Sequence, residues 1–243
     1  MRPKRQSGLA RVFTTPAPAP GRRALDREQM VQAALALLDE VGLEGLTMRR
    51  LAERLGVKAA SLYWHVHDKE ELLALLAEAI ISELHLEDEG LSWREGIIAL
   101  GHEYRRALLA HRDGAKVLAA TPPFGPRRLQ LMEGLFSLLL RWGFSRRDAA
   151  YAGFLMNDFI TEFVIEEERT TEVASLEGTT ERELFEDMQR YLASLPAETY
   201  PSLTRLADYL TGADTVKRFE FGLNVILDGL ECRLRASSGD AGE

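Results

Sequence analysis

Few groups in this chain could make or break a covalent bond. The five histidines (His65, His67, His85, His102 and His111) never fall in the His-Glu-x-x-His spacing that sets two ligands and a base on one helix face. Neither a Gly-x-Ser-x-Gly elbow nor the glycine pattern of a P-loop or a dinucleotide fold occurs. Acidic neighbours such as Glu166 and Glu167 read as solvated helix charges. The single cysteine, Cys232, can neither staple a framework nor build a cysteine-rich zinc site. No catalytic residue, cofactor or metal ion is expected. Recognition chemistry is better represented, in the run Lys58-Ala59-Ala60-Ser61. A helix lying in the major groove of DNA needs small side chains where it meets base edges. Ala59 and Ala60 allow close approach and offer methyl surface to thymine, and Ser61 adds one hydroxyl.

Those residues reach a groove only if neighbouring helices hold them out. Asp26 and Gln29 form a capping-box pattern, Leu25 can staple to Met30, and Met30, Val31, Ala34, Leu35, Leu38 and Val41 make a helical stripe that Gly42 ends. A second, short helix follows Thr47 with Met48, Leu51, Ala52 and Leu55, and stops at Gly56. Only Gly56, Val57 and Lys58 separate it from a third segment, Ala59 to His65. Two short helices joined by a tight glycine turn after a longer one is the helix-turn-helix arrangement. Asp68 with Glu71 then caps an amphipathic helix through Leu84, long enough to leave the first unit.

After a connection at His85 to Leu91, Ser92 with Glu95 opens a second helical unit. Its helices are predicted at about 92–110, 113–118, 126–141, 145–168, 181–193, 202–210 and 214–235, with Thr170 to Thr180 a polar, mobile loop. The expected fold class is all-α. It comprises a basic disordered arm (1–24), a three-helix DNA-binding unit (25–70, with a connecting helix at about 69–84), a larger effector-binding and dimerisation unit (85–235) and a disordered tail (236–243). Between Ala149 and Ile165 the apolar residues Tyr151, Phe154, Leu155, Met156, Phe159, Ile160, Phe163 and Val164 cover most of the circumference, and Phe219 to Leu234 behaves similarly. A helix apolar nearly all round is buried on more than one side: these two are either central core helices or also the seam of a four-helix homodimer interface.

The formal charge of -8 over 243 residues argues, taken whole, against nucleic acid. The average hides a gradient. Residues 1–24 carry six basic side chains (Arg2, Lys4, Arg5, Arg11, Arg22, Arg23) and no acid. With them the first 70 residues hold twelve basic against eight acidic groups, +4, while the remainder holds 18 against 30, -12. The arm lacks the continuous apolar core of a secretory signal, so it reads as an electrostatic tail rather than a targeting peptide. Even the most apolar run, Leu72 to Ile81, carries Glu78, so no membrane span is expected, and the composition suits a cytoplasmic protein.

The stretch from Thr47 to Lys69, with its Leu-Gly-Val turn, small residues opening the third helix and Leu-Tyr-Trp-His, resembles the DNA-binding domain of the TetR family of bacterial transcription regulators. Leu108 to Val117, Gly143-Phe-Ser145 and Gly229-Leu-Glu231 resemble stretches of its tetracycline-repressor subfamily, so the likeness covers roughly residues 25–235. The resemblance implies a ligand-responsive repressor that binds double-stranded operator DNA. It implies contacts from Thr47, Met48, Arg49, Lys58, Ala59, Ala60, Ser61, Tyr63, Trp64, His65 and Lys69, with Arg49 able to reach a guanine edge and Tyr63, His65 and Lys69 at phosphate or sugar. Core packing is the competing role for Tyr63 and Trp64, and a solvated face that for Arg50 and Arg54.

For a small-molecule effector the resemblance implies His85, Leu100, Tyr104, Leu118, Thr121, Pro123, Leu135 and Glu166, and Asp158 is a further candidate. Leu118 stands where the subfamily has a magnesium-ligating histidine, and Leu100 and Leu135 stand where it has polar drug contacts. A leucine has no donor atom for a hard cation, so a fairly apolar effector is expected rather than a magnesium–tetracycline chelate. The alternative is a DNA-binding regulator or activator without an effector, which would have a filled core in place of a pocket.

Overall fold

The computed structural model describes residues 26–85, 90–212 and 214–239, and in these it contains α-helices and no strand. The basic arm and the Leu25 staple lie outside the described residues. The first helix, α1 (Arg27–Gly45), starts at Asp26, whose carboxylate accepts from the Glu28 amide at 3.3 Å; the expected return bond from Gln29 is not made. Gly42 marks its predicted end, but as a break (φ 70, ψ 176) after which the chain makes one more turn to Gly45. A Cβ at Gly42 would sit 2.8 Å from the Asp113 carboxylate, so the glycine permits a close approach from elsewhere in the chain.

Thr47 caps α2 (Met48–Arg54) by accepting from the Arg50 amide at 3.2 Å. The third helix, α3 (Ala59–Leu62), is one turn long and stops before Tyr63, three residues earlier than expected. Asp68 caps α4 (Lys69–Ser82) through the Glu71 amide at 2.8 Å, but the Glu71 carboxylate reaches back to His67 rather than to Asp68, at 2.7 Å. Met30, Leu38, Leu51, Leu62, Leu72 and Leu76 are fully buried among these four helices. At roughly 1.5–3 kcal/mol per fully buried large apolar side chain, this small core suffices to fix the α2–α3 turn.

The rest of the chain forms α5 (Trp93–Leu109), α6 (Gly114–Ala119), α7 (Pro126–Arg141), α8 (Arg146–Glu177), α9 (Glu181–Ser194), α10 (Pro201–Arg205), α11 (Ala207–Leu210) and α12 (Thr215–Gly239). Ser92 and Glu95 make the expected capping box. Three expectations are corrected. The predicted loop at Thr170 to Thr180 is mostly helix: Thr170 and Thr171 donate to the Glu166 and Glu167 carbonyls at 3.0 and 3.2 Å, so their hydroxyls are absorbed within α8, which ends at Gly178 (φ 67). The predicted helix at 202–210 is two short ones, and α12 runs through to Gly239, beyond the point where a tail was expected.

Phe219 of α12 centres the core of this body, stacked on Phe159 (centroids 5.5 Å apart) and edge-on to Phe163 (5.2 Å). No helix among the described residues is long and apolar enough to cross a membrane.

A polar joint ties α1 to the body. The Asp113 carboxylate accepts from the Leu43 amide at 2.7 Å. His111 lies between Asp39 (3.3 Å) and Glu83 (2.9 Å), and the Arg112 guanidinium donates to the Glu40 carbonyl at 3.2 Å.

Candidate functional site

The α2–α3 turn presents a face to solvent. Lys58, Ala59, Ala60 and Tyr63 are exposed, Ser61 and His65 half-buried, and Trp64 is 85% exposed, while Leu62 between them is fully buried. Of the competing roles for the aromatic pair, packing falls to Leu62, and both rings are left facing outward. Arg49 is exposed and holds Glu53 one turn on, at 2.9 Å. Such a surface pair is weak enough for a phosphate or a base edge to displace. Met48 is half-buried against the core, and Thr47 already spends its hydroxyl as a cap. Lys69 is half-buried with its Nζ donating to the Leu43 carbonyl at 2.9 Å, which helps close the end of α1. Neither Arg50 nor Arg54 is free: Arg50 donates to the Gly45 carbonyl at 3.1 Å, and Arg54 pairs with Glu40 at 2.7 Å.

A cavity of about 680 Å³ opens among α4, α5, α6, α7 and α8. Seven of the nine candidate effector residues line it: Leu100, Tyr104, Leu118, Thr121, Pro123, Leu135 and Asp158. His85 and Glu166 do not. His85 is exposed at the end of α4, its backbone amide 3.4 Å from Glu103, and Glu166 pairs with Arg218 at 3.1 Å.

The lining also contains polar groups that sequence reasoning missed. The Tyr104 hydroxyl donates to Asn157 Oδ1 at 3.1 Å, and burial pushes its pKa up, opposed by the Arg128 charge and the Thr161 hydroxyl beside it. Arg128 is only 8% exposed. Its guanidinium donates to Thr121 Oγ1 at 2.8 Å, to the Thr121 carbonyl at 3.2 Å, and at longer range to the Leu118 and Pro122 carbonyls. One signal could have singled it out: Arg127 and Arg128 sit in the first turn of α7, where the helix dipole disfavours cations. The Glu78 carboxylate on α4 offsets this by accepting from the Arg127 and Arg128 amides at 2.6 and 3.3 Å. It therefore links the connecting helix to the cavity wall.

Comparison with known proteins decides what this pairing of an exposed turn and an internal cavity belongs to. The pattern of the tetR family of bacterial regulatory proteins matches residues 30–76, and that of the tetracyclin repressor-like C-terminal domain matches residues 86–234. The chain belongs to the tetR family. Tetracycline repressor protein class C of Escherichia coli is 37% identical over 219 residues, covering 89% of this chain and 94% of that protein. Apo ActR from Streptomyces coelicolor superposes with a TM-score of 0.78 at 34% identity, covering 89% of this chain and all (100%) of that one. ActR in complex with actinorhodin gives 0.76 at 36% identity, over 86% of this chain and 96% of the other.

As a tetR-family protein the chain is a DNA-binding, ligand-responsive transcriptional repressor and not an enzyme. The residues that its tetracycline-repressor likeness would place at a magnesium ion do not fit one. Leu118 puts an alkyl group in the wall, Glu166 lies outside the cavity lining and pairs with Arg218, and no three His, Cys, Asp or Glu side chains gather to hold a metal among the described residues.

Proposed function

We propose that a cytoplasmic homodimer of this chain reads a palindromic operator with α2 and α3 of each copy, and releases it when a small, largely apolar effector fills the cavity. The observation that carries this reading is the cavity itself: a regulator without an effector would have packed the space that Leu100, Leu118 and Leu135 leave open. In this reading Arg49 reads a guanine edge, and Ala59, Ala60 and Ser61 lie against the bases. Lys58, Tyr63, Trp64, His65 and Lys69 hold phosphate or sugar, with Thr47 and Met48 setting the start of α2. The DNA-binding unit spans 25–70 and the effector and dimer unit 85–235, with α4 between them.

Dimerisation is supported by apolar side chains left in solvent at helical spacing. These are Tyr151, Phe154 and Leu155 on α8, and Phe221 and Val225 on α12, with Phe221 72% exposed. A dimer through these helices would set two reading faces one DNA turn, ~34–36 Å, apart. The coupling element is α4, whose first turn packs in the DNA-binding unit and whose Glu78 holds the start of α7. An effector that prefers another seating of α7 must weaken operator binding by the factor by which operator weakens its own binding.

A thermal-shift screen of apolar antibiotics and metabolites, run on the wild type and on Leu135→Trp, tests this reading. A true effector at a hundred times its Kd should raise the wild-type Tm by on the order of 5 °C, fail to stabilise the variant, and release a selected operator fragment. Compounds that stabilise both proteins equally would place the effector elsewhere. Magnesium-dependent tetracycline binding at micromolar affinity would overturn the apolar, metal-free reading.

A further inference from the structure

We infer that the effector is an amphipathic anion, an apolar body carrying one acidic oxygen group that binds at the Arg128 guanidinium with Thr161 as a second donor. The inference rests on the cavity being the effector site and concerns the chemistry that site selects. A guanidinium taken out of water is ordinarily matched by a carboxylate, because neutral acceptors offset only part of its lost hydration. Arg128 is buried, yet every acceptor it has is neutral: three backbone carbonyls and the Thr121 hydroxyl. No described carboxylate comes within ion-pair distance of its side chain. The Glu78 carboxylate, whose charge reaches Arg128 without forming an ion pair, is engaged with the backbone amides at the start of α7.

Thr161, on α8, is an independent indication. It lines the same cavity, is 6% exposed, and its buried Oγ1 lies beside the Tyr104 hydroxyl without making a hydrogen bond of normal geometry. Buried hydroxyls are rarely left in that state, and a ligand oxygen would satisfy it. The lining acids do not oppose this arrangement. Asp158 and Glu162 are exposed on α8, and Asp158 accepts from the Asn157 amide at 3.2 Å. The cation is thus inside and the acids are outside, a polarity that orients an amphipathic anion with its acidic end inward.

Two fluorescent probes with one aromatic skeleton separate charge from shape: 8-anilinonaphthalene-1-sulfonate, whose sulfonate stands in for a carboxylate or ionised phenol, and the neutral N-phenyl-1-naphthylamine. Titrated into the full chain, both should bind the wild type, and Leu135→Trp should abolish both. Arg128→Gln should weaken the sulfonate by at least about tenfold and the neutral amine by less than about twofold, as expected for loss of a charged hydrogen bond. Arg128→Lys should retain the preference for the anion. Thr161→Val, which removes the hydroxyl and keeps the shape of the side chain, should cost the sulfonate about threefold and the amine nothing; it decides the matter if Arg128→Gln does not fold. Equal losses for both probes in Arg128→Gln, or an unchanged sulfonate affinity in Thr161→Val, would overturn the inference while leaving the cavity reading intact. Binding of both probes that survives Leu135→Trp would instead place them outside the cavity, and the effector-site reading would fail together with the inference.

Discussion

On the α2–α3 face, the groups able to touch another molecule are nearly consecutive and turned outward, from Arg49 through Lys58 to Trp64. The cavity gathers Tyr104 from α5, Thr121 from the turn after α6, Arg128 from α7 and Thr161 from α8, all of them buried. The first region is carried by one small core, so its side chains can change without cost to the fold. The second is part of the core, so each of its polar groups bears on stability and on the position of a helix. Neither region suffices alone, because one turn of recognition helix gives few base contacts. The largest expected effect therefore comes from separating two copies. Phe221→Glu combined with Val225→Glu should give monomers by analytical ultracentrifugation and reduce operator affinity by at least about a hundredfold, as lost bivalency predicts. A double variant that stays dimeric would move the seam away from α12.

The contrast is sharpened by Arg49→Ala and Tyr63→Ala. Each removes an exposed side chain, so the melting temperature should stay within about 1 °C of wild type. Arg49→Ala should nevertheless lower operator affinity tenfold to a hundredfold, by about one bidentate base contact, and relax preference at one base pair of each half-site. Tyr63→Ala should weaken binding evenly across operator sequences, as a lost phosphate contact does. Specific operator binding that persists in both variants would mean that the reading face lies elsewhere.

Gly125→Ala tests the link between the two regions. A Cβ there would lie 1.9 Å from Glu78 Oε1 and 2.2 Å from its Cδ, so the carboxylate must leave the α7 amides. Losing that cap should cost about 1 kcal/mol, a Tm drop of roughly 2–4 °C. Glu78→Gln should reproduce most of it, and in both variants operator release by the effector should weaken more than operator binding itself. Full release in either variant would show that α4 does not act through α7.

The two regions also differ in how far they could be read from sequence. The turn was legible because its signals are local: Thr47 as a cap, Gly56 as a stop, and small residues at 59–61 all act within a few positions. The positions proposed for an effector were legible mainly through family likeness; seven of them reach the cavity wall, and His85 and Glu166 stay outside it. Arg128 was missed because burial is a tertiary property. Beside Arg127 it reads as one more surface charge, and only the packing of α7 shows which of the two is enclosed. Thr170 and Thr171 misled for a related reason: polar residues signal a loop only when the backbone is not already helical, and here α8 carries their hydroxyls on its own carbonyls.

The smallest expected effect lies where the two regions join. Glu168 on α8 accepts from the Asp113 amide at 2.8 Å, and Asp113 in turn holds the Leu43 amide of α1. Burial, reinforced by the Asp113 and Glu172 carboxylates, raises the Glu168 pKa to about 7, against the opposing Asp113 amide and Lys116. A carboxyl whose folded pKa lies above its unfolded value of 4.5 binds its proton more tightly in the native state. The stability it adds is therefore complete below about 4.5 and is lost as pH rises through about 7. Glutamine keeps the acceptor for Asp113 and removes the charge. After allowance for solvent screening of a partly exposed group, Glu168→Gln should raise Tm by about 1–2 °C at pH 8, leave it unchanged near pH 4, and flatten the pH dependence in between. A lower Tm at pH 8 would mean that the ionised carboxylate supports the joint, and that α1 is held to the body by charge rather than by the Asp113 hydrogen bonds.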